Sequence, residues 1–267
     1  MNRKTLLKEL NLSTYVALDF ETTGLDPNYD KVIEVAAILF KNGEPKKTFS
    51  TLINPEQNIS PFITNITGIS NSMVSDAPKE KDIIGELVKI LGHHPVVAHN
   101  IKFDWSFIKI LCERYNIDIP KNPLYDTLQL ARSVLYDHPV FNLTALSEFY
   151  GQDASGSHRA EKDTENCGLI FLHLLDELMC YNLEEISSVL SVLDKYEIAN
   201  KKLYVDAANM LLKSGDLKTP LNKRIIDRKL GDSIFSFKGY RNIQNLTASD
   251  VFGSEGVLSK KYKWFED

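Results

Sequence analysis

Three short stretches of this 267-residue chain put carboxylates where apolar side chains belong. In Tyr15-Val16-Ala17-Leu18-Asp19-Phe20-Glu21, a strand of period two sends Asp19 and Glu21 to one face and Val16, Leu18 and Phe20 to the other. An isolated D-x-E pair reads more readily as a solvated strand face. Here, however, the pair ends the most apolar early strand. Two carboxylates delivered into a core need something positive to offset their repulsion and desolvation. In the second stretch, a helix over 103–115 aligns Asp104 with Ile108, Leu111 and Tyr115, an apolar stripe. An early-turn acid favoured by the helix dipole accounts for the same residue, and His99 reads as an ordinary hydrogen-bonded core or loop histidine. In the third, Asp163 aligns with Cys167, Ile170, Leu174 and Leu178, again an apolar face. His158 stands five residues earlier, about 140° away on a continuous helix. That offset puts it on a loop or first turn, from which it can reach over the site as a candidate base.

Four carboxylates gathered in one cleft repel each other by several kcal/mol unless divalent cations neutralise them. All-oxygen ligation selects hard ions, so magnesium or manganese fits and zinc, lacking a Cys/His set, does not. Two such ions ~4 Å apart can hold a phosphodiester, generate hydroxide and stabilise the departing oxygen. A neutral histidine near its working pH can take the proton from the attacking water, contributing roughly 10²–10⁴-fold.

The elements that must position these groups are legible in outline. Runs at 15–20, 32–40 and 48–53 read as strands, and Asn42-Gly43 marks a tight turn between the second and third, so the three form an antiparallel meander. Helical spacing follows from Pro78 (Ile83, Leu87, Ile90, Leu91), then a short strand Val96-Val97-Ala98 and helices at 103–115, 126–135, 143–150 and 161–180. Strands with helices on their faces describe an α/β domain over 1–182. Asn182 is a good helix N-cap, and an amphipathic pattern runs from Leu183 to Leu212 before Gly215 stops it. Residues 183–267 therefore read as a helical appendage followed by a basic linker.

Composition sets the outer bounds. With 43% hydrophobic and 25% charged residues the chain is a globular protein with a real core. No run approaches the ~20 apolar residues of a membrane span. The basic start is interrupted by Lys8 and Glu9, which disfavours a secretory signal. Cys112, Cys167 and Cys180 form no C-x-x-C pair, so reduced thiols and a cytoplasmic location are expected. The net charge of −5 argues at first sight against a nucleic-acid partner. It is uneven: residues 1–183 carry 17 Lys+Arg against 24 Asp+Glu, whereas 184–267 carry 14 against 12. Acids gathered to hold cations reconcile a negative front half with a nucleic-acid substrate.

Taken together and in order, Asp19-Phe20-Glu21-Thr22-Thr23-Gly24, His99-Asn100 with Asp104, and His158 ahead of Asp163 resemble the three motifs of the DnaQ-like DEDDh 3′→5′ exonucleases. The likeness covers about residues 12–180, including Tyr125-Asp126-Thr127-Leu128 and Leu143-Thr144-Ala145-Leu146. It implies a ribonuclease H-like fold, a mixed five-stranded sheet flanked by helices. It also implies that Asp19, Glu21 and Asp163 bind the metal that activates water, that Asp19 bridges to a second metal with Asp104 acting through water, and that His158 is the general base. Thr22, Thr23, Gly24 and Leu25 would meet the 3′-terminal nucleotide. Asn100 and Phe103 would shape the strand groove, although Phe103 reads equally as core packing. Asp126 would cap a helix. Thr67-Gly68-Ile69 stands where some relatives have His-Gly-Ile, so a ring contact is missing there.

The implied activity is release of nucleoside 5′-monophosphates from single-stranded DNA 3′ ends with two Mg²⁺ or Mn²⁺ ions. An RNA exonuclease of the same family and a non-catalytic nucleic-acid-binding or polymerase-adaptor module are the alternatives. The segment from Asp250 to Glu266 resembles the lead-in to the first helicase motif of DinG-type proteins with a fused exonuclease, which implies a fused or associated helicase or polymerase. A plain linker accounts for the same residues, and no G-x-x-x-x-G-K-[ST] occurs in the 267 residues.

Overall fold

The computed structural model describes residues 2–135, 138–153, 159–193 and 199–214. The strands are β1 (Thr14–Thr22), β2 (Val32–Lys41), β3 (Glu44–Leu52), β4 (Val96–Ala98) and β5 (Leu124–Asp126). They form one mixed sheet in the order β3-β2-β1-β4-β5. The first three are the expected antiparallel meander, and β4 and β5 add parallel to β1. The β2–β3 turn falls at Asn42-Gly43, whose φ values of 54° and 88° are the left-handed pair that a two-residue hairpin demands.

Helices α1 (Arg3–Glu9), α2 (Pro61–Thr67), α3 (Asn71–Val74), α4 (Glu80–Leu91), α5 (Ile101–Arg114), α6 (Thr127–Val134), α7 (Leu143–Phe149), α8 (Ala160–Leu178), α9 (Leu183–Leu193) and α10 (Lys201–Ser214) complete the described residues. Strand alternation divides the core. Val16, Leu18 and Phe20 of β1 face α4 and α5 in one cluster, and Tyr15 and Ala17 face α8 in another. The apolar face of α8 (Cys167, Ile170, Phe171, Leu174, Leu178) is buried, each large side chain contributing roughly 1.5–3 kcal/mol. Close approach of α8 to the sheet needs Gly168. A Cβ there would stand 2.3 Å from the Phe40 ring, and the bare backbone lets the Tyr15 hydroxyl donate to the Gly168 carbonyl at 2.9 Å.

Short elements escaped the sequence reading: α1, α2, α3 and β5. The amphipathic pattern from 183 to 212 is also not one helix. The chain turns at Ala199 and Asn200 between α9 and α10. Asn200 is buried there and gives its side chain to another segment: Oδ1 accepts from the Asp126 N–H and Nδ2 donates to the Asp126 carbonyl, both at 2.9 Å. Ile186, Val189, Leu203, Tyr204, Ala207 and Leu211 join the same core cluster as Tyr15 and Phe171. Among the described residues no helix is long and apolar enough to cross a membrane.

Candidate active site

Because Asp19 and Glu21 continue the Tyr15–Ala17 face of β1, they emerge beneath the N-terminal end of α8, where Asp163 stands on the helix's inward face. Carboxylate oxygens of Asp19, Glu21 and Asp163 all lie within 4.8 Å of one another. Asp19 and Glu21 are buried, at 3% and 4% exposure, and Asp163 is partly exposed. A largely buried all-oxygen triad of this kind has the donor set of a hard divalent cation such as Mg²⁺ or Mn²⁺.

Asp104 arrives from a third direction. The pairing of β4 with β1 covers Val16 and Ala17 only. Beyond it, Asp104 in the first turn of α5 accepts the Phe20 N–H through Oδ1 at 3.1 Å. It thus closes the open edge of β1 between the two acids of the D-x-E pair, and it is fully buried. Its alignment with Ile108 and Leu111, both buried, is as expected.

The start of α5 is set by its neighbours. Asn100 is its N-cap in the left-handed region (φ 74°) and makes no side-chain cap bond. Its N–H donates to Asp126 Oδ1 at 3.2 Å. The same oxygen caps α6 by accepting from Leu128 and Gln129, the capping role implied for Asp126. Burial pushes the Asp126 carboxyl up to about 6, against the opposing pull of those three N–H groups and of Arg132. His99 Nδ1 pairs with Thr127 Oγ1 at 2.9 Å, the ordinary buried hydrogen bond expected of it. Cys167 lies beneath the acids, and burial first, then the charges of Asp19, Asp104 and Asp126, keep its thiol neutral.

Thr22, Thr23, Gly24 and Leu25 lead from β1 into a loop folded tightly on itself. The Thr22 hydroxyl donates to the Gly24 carbonyl at 2.6 Å. Thr23 Oγ1 accepts from Lys31 N–H and from Gln57 Nε2. The Asp30 carboxylate packs so closely on Gly24 that a Cβ would meet it at 2.5 Å. The loop is anchored by Glu80, a buried residue unmarked in the sequence reading, which accepts from Lys31, the Val32 N–H, Arg114 and Tyr115. Phe103 is buried against Phe107, ring centroids 5.2 Å apart, so its ring packs the core. Thr67 turns inward, donating to the Ile63 carbonyl and accepting from the Ile69 N–H.

A second unmarked residue is Glu34, the register partner of Glu21 on β2 and 2% exposed. It accepts from Arg159 Nε and Nη2, the latter at 2.8 Å, and from the first N–H of α8, on Ala160, at 3.0 Å. A lone acid inside the apolar run Val32-Ile33-Glu34-Val35-Ala36 was the available signal. His158, the candidate base, lies outside the described residues; so does the segment from Asp250 to Glu266.

The family model of the RNase T exonucleases matches residues 16–171, the segment that holds every acid of this site. The chain belongs to the DnaQ-like exonuclease family. DNA polymerase III PolC-type of Caldanaerobacter subterraneus is 36% identical over 199 residues, covering 74% of this chain and 14% of that protein. The PolC-type polymerase of Staphylococcus saprophyticus is 37% identical over 194 residues, covering 72% and 14%. This exonuclease thus spans only a small part of the length of those relatives. In fold it matches E. coli exonuclease I in complex with a dA16 oligonucleotide (TM-score 0.57, 19% identity, 67% of this chain and 46% of that one). It also matches the nuclease domain of 3′hExo, a DEDDh family member bound to rAMP (TM-score 0.53, 22% identity, 62% and 92%). The five-stranded sheet flanked by helices is therefore the ribonuclease H-like fold of these nucleases.

Proposed function

We propose that this exonuclease hydrolyses phosphodiester bonds at single-stranded DNA 3′ ends, releasing nucleoside 5′-monophosphates. The observation that carries the reading is the convergence of Asp19, Glu21 and Asp163 within 4.8 Å in a largely buried setting. Asp19, Glu21 and Asp163, with Asp104 beside them, would hold two divalent cations. When bound, Mg²⁺ or Mn²⁺ supplies Lewis acidity and a low-pKa water. The chain does the rest. The carboxylates would fix the ions and the Thr22–Leu25 backbone would lie against the terminal nucleotide, while Asn100, buried at the start of α5, would shape the strand path only through the helix it begins. His158, two positions before α8, takes the proton of the attacking water. The likeness to PolC-type enzymes favours work beside a polymerase in DNA replication or repair, in the cytoplasm, with a helicase as the alternative partner.

Incubating 5′-labelled DNA and matched RNA oligomers with Mg²⁺ or Mn²⁺ tests this directly. A ladder shortening from the 3′ end of DNA, abolished by EDTA, is the expected result. Faster degradation of RNA would reassign the substrate. Strand binding without mononucleotide release in either metal would make the chain a binding module.

A further inference from the structure

Asn200 lies well beyond the matched exonuclease segment, which ends at residue 171, yet buried hydrogen bonds and one turn of α5 join it to the acid site. We propose that Asn200 is a positioning residue that fixes Asp104 through the β5–α6 corner and the start of α5. The proposal rests on the metal-dependent reading of the site.

Every residue on the path is buried. The Asn200 amide satisfies both the N–H and the carbonyl of Asp126 at the outer edge of β5, at 2.9 Å each. That residue's carboxylate oxygen Oδ1 then takes the N–H of Asn100. Asn100 starts α5 in a left-handed conformation with no side-chain cap of its own, so this bond registers the helix. One turn on, Asp104 takes the Phe20 N–H between Asp19 and Glu21. Asn200, Asp126, Asn100 and Asp104 are each 2% exposed or less, so water does not substitute for a lost partner without moving the corner. A side-chain amide matched to both main-chain groups of one edge-strand residue is a directional lock, unlike the apolar packing of α10 around it.

The test is made on the full chain with Asn200→Ala beside Tyr204→Phe. Tyr204 sits on α10, which Asn200 precedes, and its hydroxyl meets Ser133 on α6, so loss of that hydroxyl loosens α10 without touching Asp126. Mn²⁺ binding is titrated by electron paramagnetic resonance, and hydrogen exchange is followed at the Phe20 and Asn100 amides. Expected for Asn200→Ala is a rise of ~10-fold in the Mn²⁺ midpoint, the size typical of a lost outer-shell partner, with faster exchange at both amides and neither change in Tyr204→Phe. If Asn200→Ala does not fold, Asn200→Ser, which is neutral and polar but lacks the amide's paired donor and acceptor, is measured in its place, and a shift in the same direction is expected. A folded Asn200 variant with wild-type midpoint and exchange would overturn the proposal, as would an equal shift in Tyr204→Phe. Wild-type protein that binds Mn²⁺ without cutting DNA or RNA would refute the nuclease function and leave the positioning role to be decided by these same readouts. Should wild type bind no Mn²⁺, the amide exchange alone decides it.

Discussion

Glu34 and Arg159, 125 positions apart in the chain, meet in a charge-assisted fork at the point where α8 touches the sheet. The Glu34 carboxylate is 2% exposed and the Arg159 side chain about half exposed, so one partner is desolvated and the other is not. The pairing holds the Arg159 guanidinium pKa above its ordinary value. Since Glu34 also takes the Ala160 N–H, it fixes the first turn of α8 and therefore the height at which Asp163 meets Asp19 and Glu21.

Glu34→Gln is expected to cost about 1–3 kcal/mol of stability, because charge-assisted bonds become neutral ones. It is also expected to weaken Mn²⁺ activation. Urea unfolding and a metal titration of the nuclease rate measure the two effects. Unchanged metal dependence would confine Glu34 to folding.

Asp163→Asn and Asp19→Ala remove charge from a crowded triad. Both are expected to abolish cleavage while leaving the metal-free protein folded, with a melting temperature equal to or above wild type, since repulsion is relieved. Circular dichroism melts in EDTA beside the oligonucleotide assay separate this outcome from loss by unfolding.

Gly168→Ala drives a methyl into the Phe40 ring. The expected cost is about 1–3 kcal/mol from overpacking, with a loss of activity as α8 lifts from the sheet. Adding Phe40→Leu opens room and should restore part of both. A double-mutant cycle on stability and rate reads the coupling.

Asp126 gives a pH signature. Its carboxyl is raised from 3.8 to about 6 by burial, so the folded state holds the proton more tightly than the unfolded state. This group's contribution is thus full below its unfolded value and is lost as pH climbs through about 6, a change on the order of 3 kcal/mol. Asp126→Asn is expected to flatten that fall. The difference between the two unfolding free energies in EDTA, followed from about pH 4 to about pH 7, measures it.

Truncation after Asn182 is expected to destabilise the exonuclease by more than ~4 kcal/mol. Ile186, Val189, Leu203, Tyr204 and Leu211 lie in the same core as α8, and cutting them away uncovers that core. Denaturant melts and dye binding to exposed apolar surface are the measurements.

Asp19, Glu21, Asp104 and Asp163 were legible because each breaks an apolar period, and a broken period is a local signal. The longer strands and helices were legible for the same reason. Strand β5 was not, since Leu124-Tyr125-Asp126 lacks the β-branched pair that marks the equally short β4. Helix α2 was missed although Ser60 caps it and Pro61 opens it, because its seven residues give barely two turns of pattern. Glu34 escaped because a single acid in a strand looks like an exposed position until Arg159 is beside it. Asn200 was invisible in principle: its partners are main-chain atoms 74 positions away, and nothing in residue type announces them. The amphipathic pattern ran unbroken across the α9–α10 turn, so that break too is a tertiary effect.

The last acid of the triad is carried by α8, the final helix of the matched segment, and reaches its partners only by packing onto a sheet whose strands come earlier in the chain. During synthesis, then, the polypeptide emerges from the ribosome disarmed. Asp19 and Glu21 leave the ribosome some hundred and forty residues before Asp163, so the three carboxylates can meet only after the closing helix has been made and has seated on the sheet.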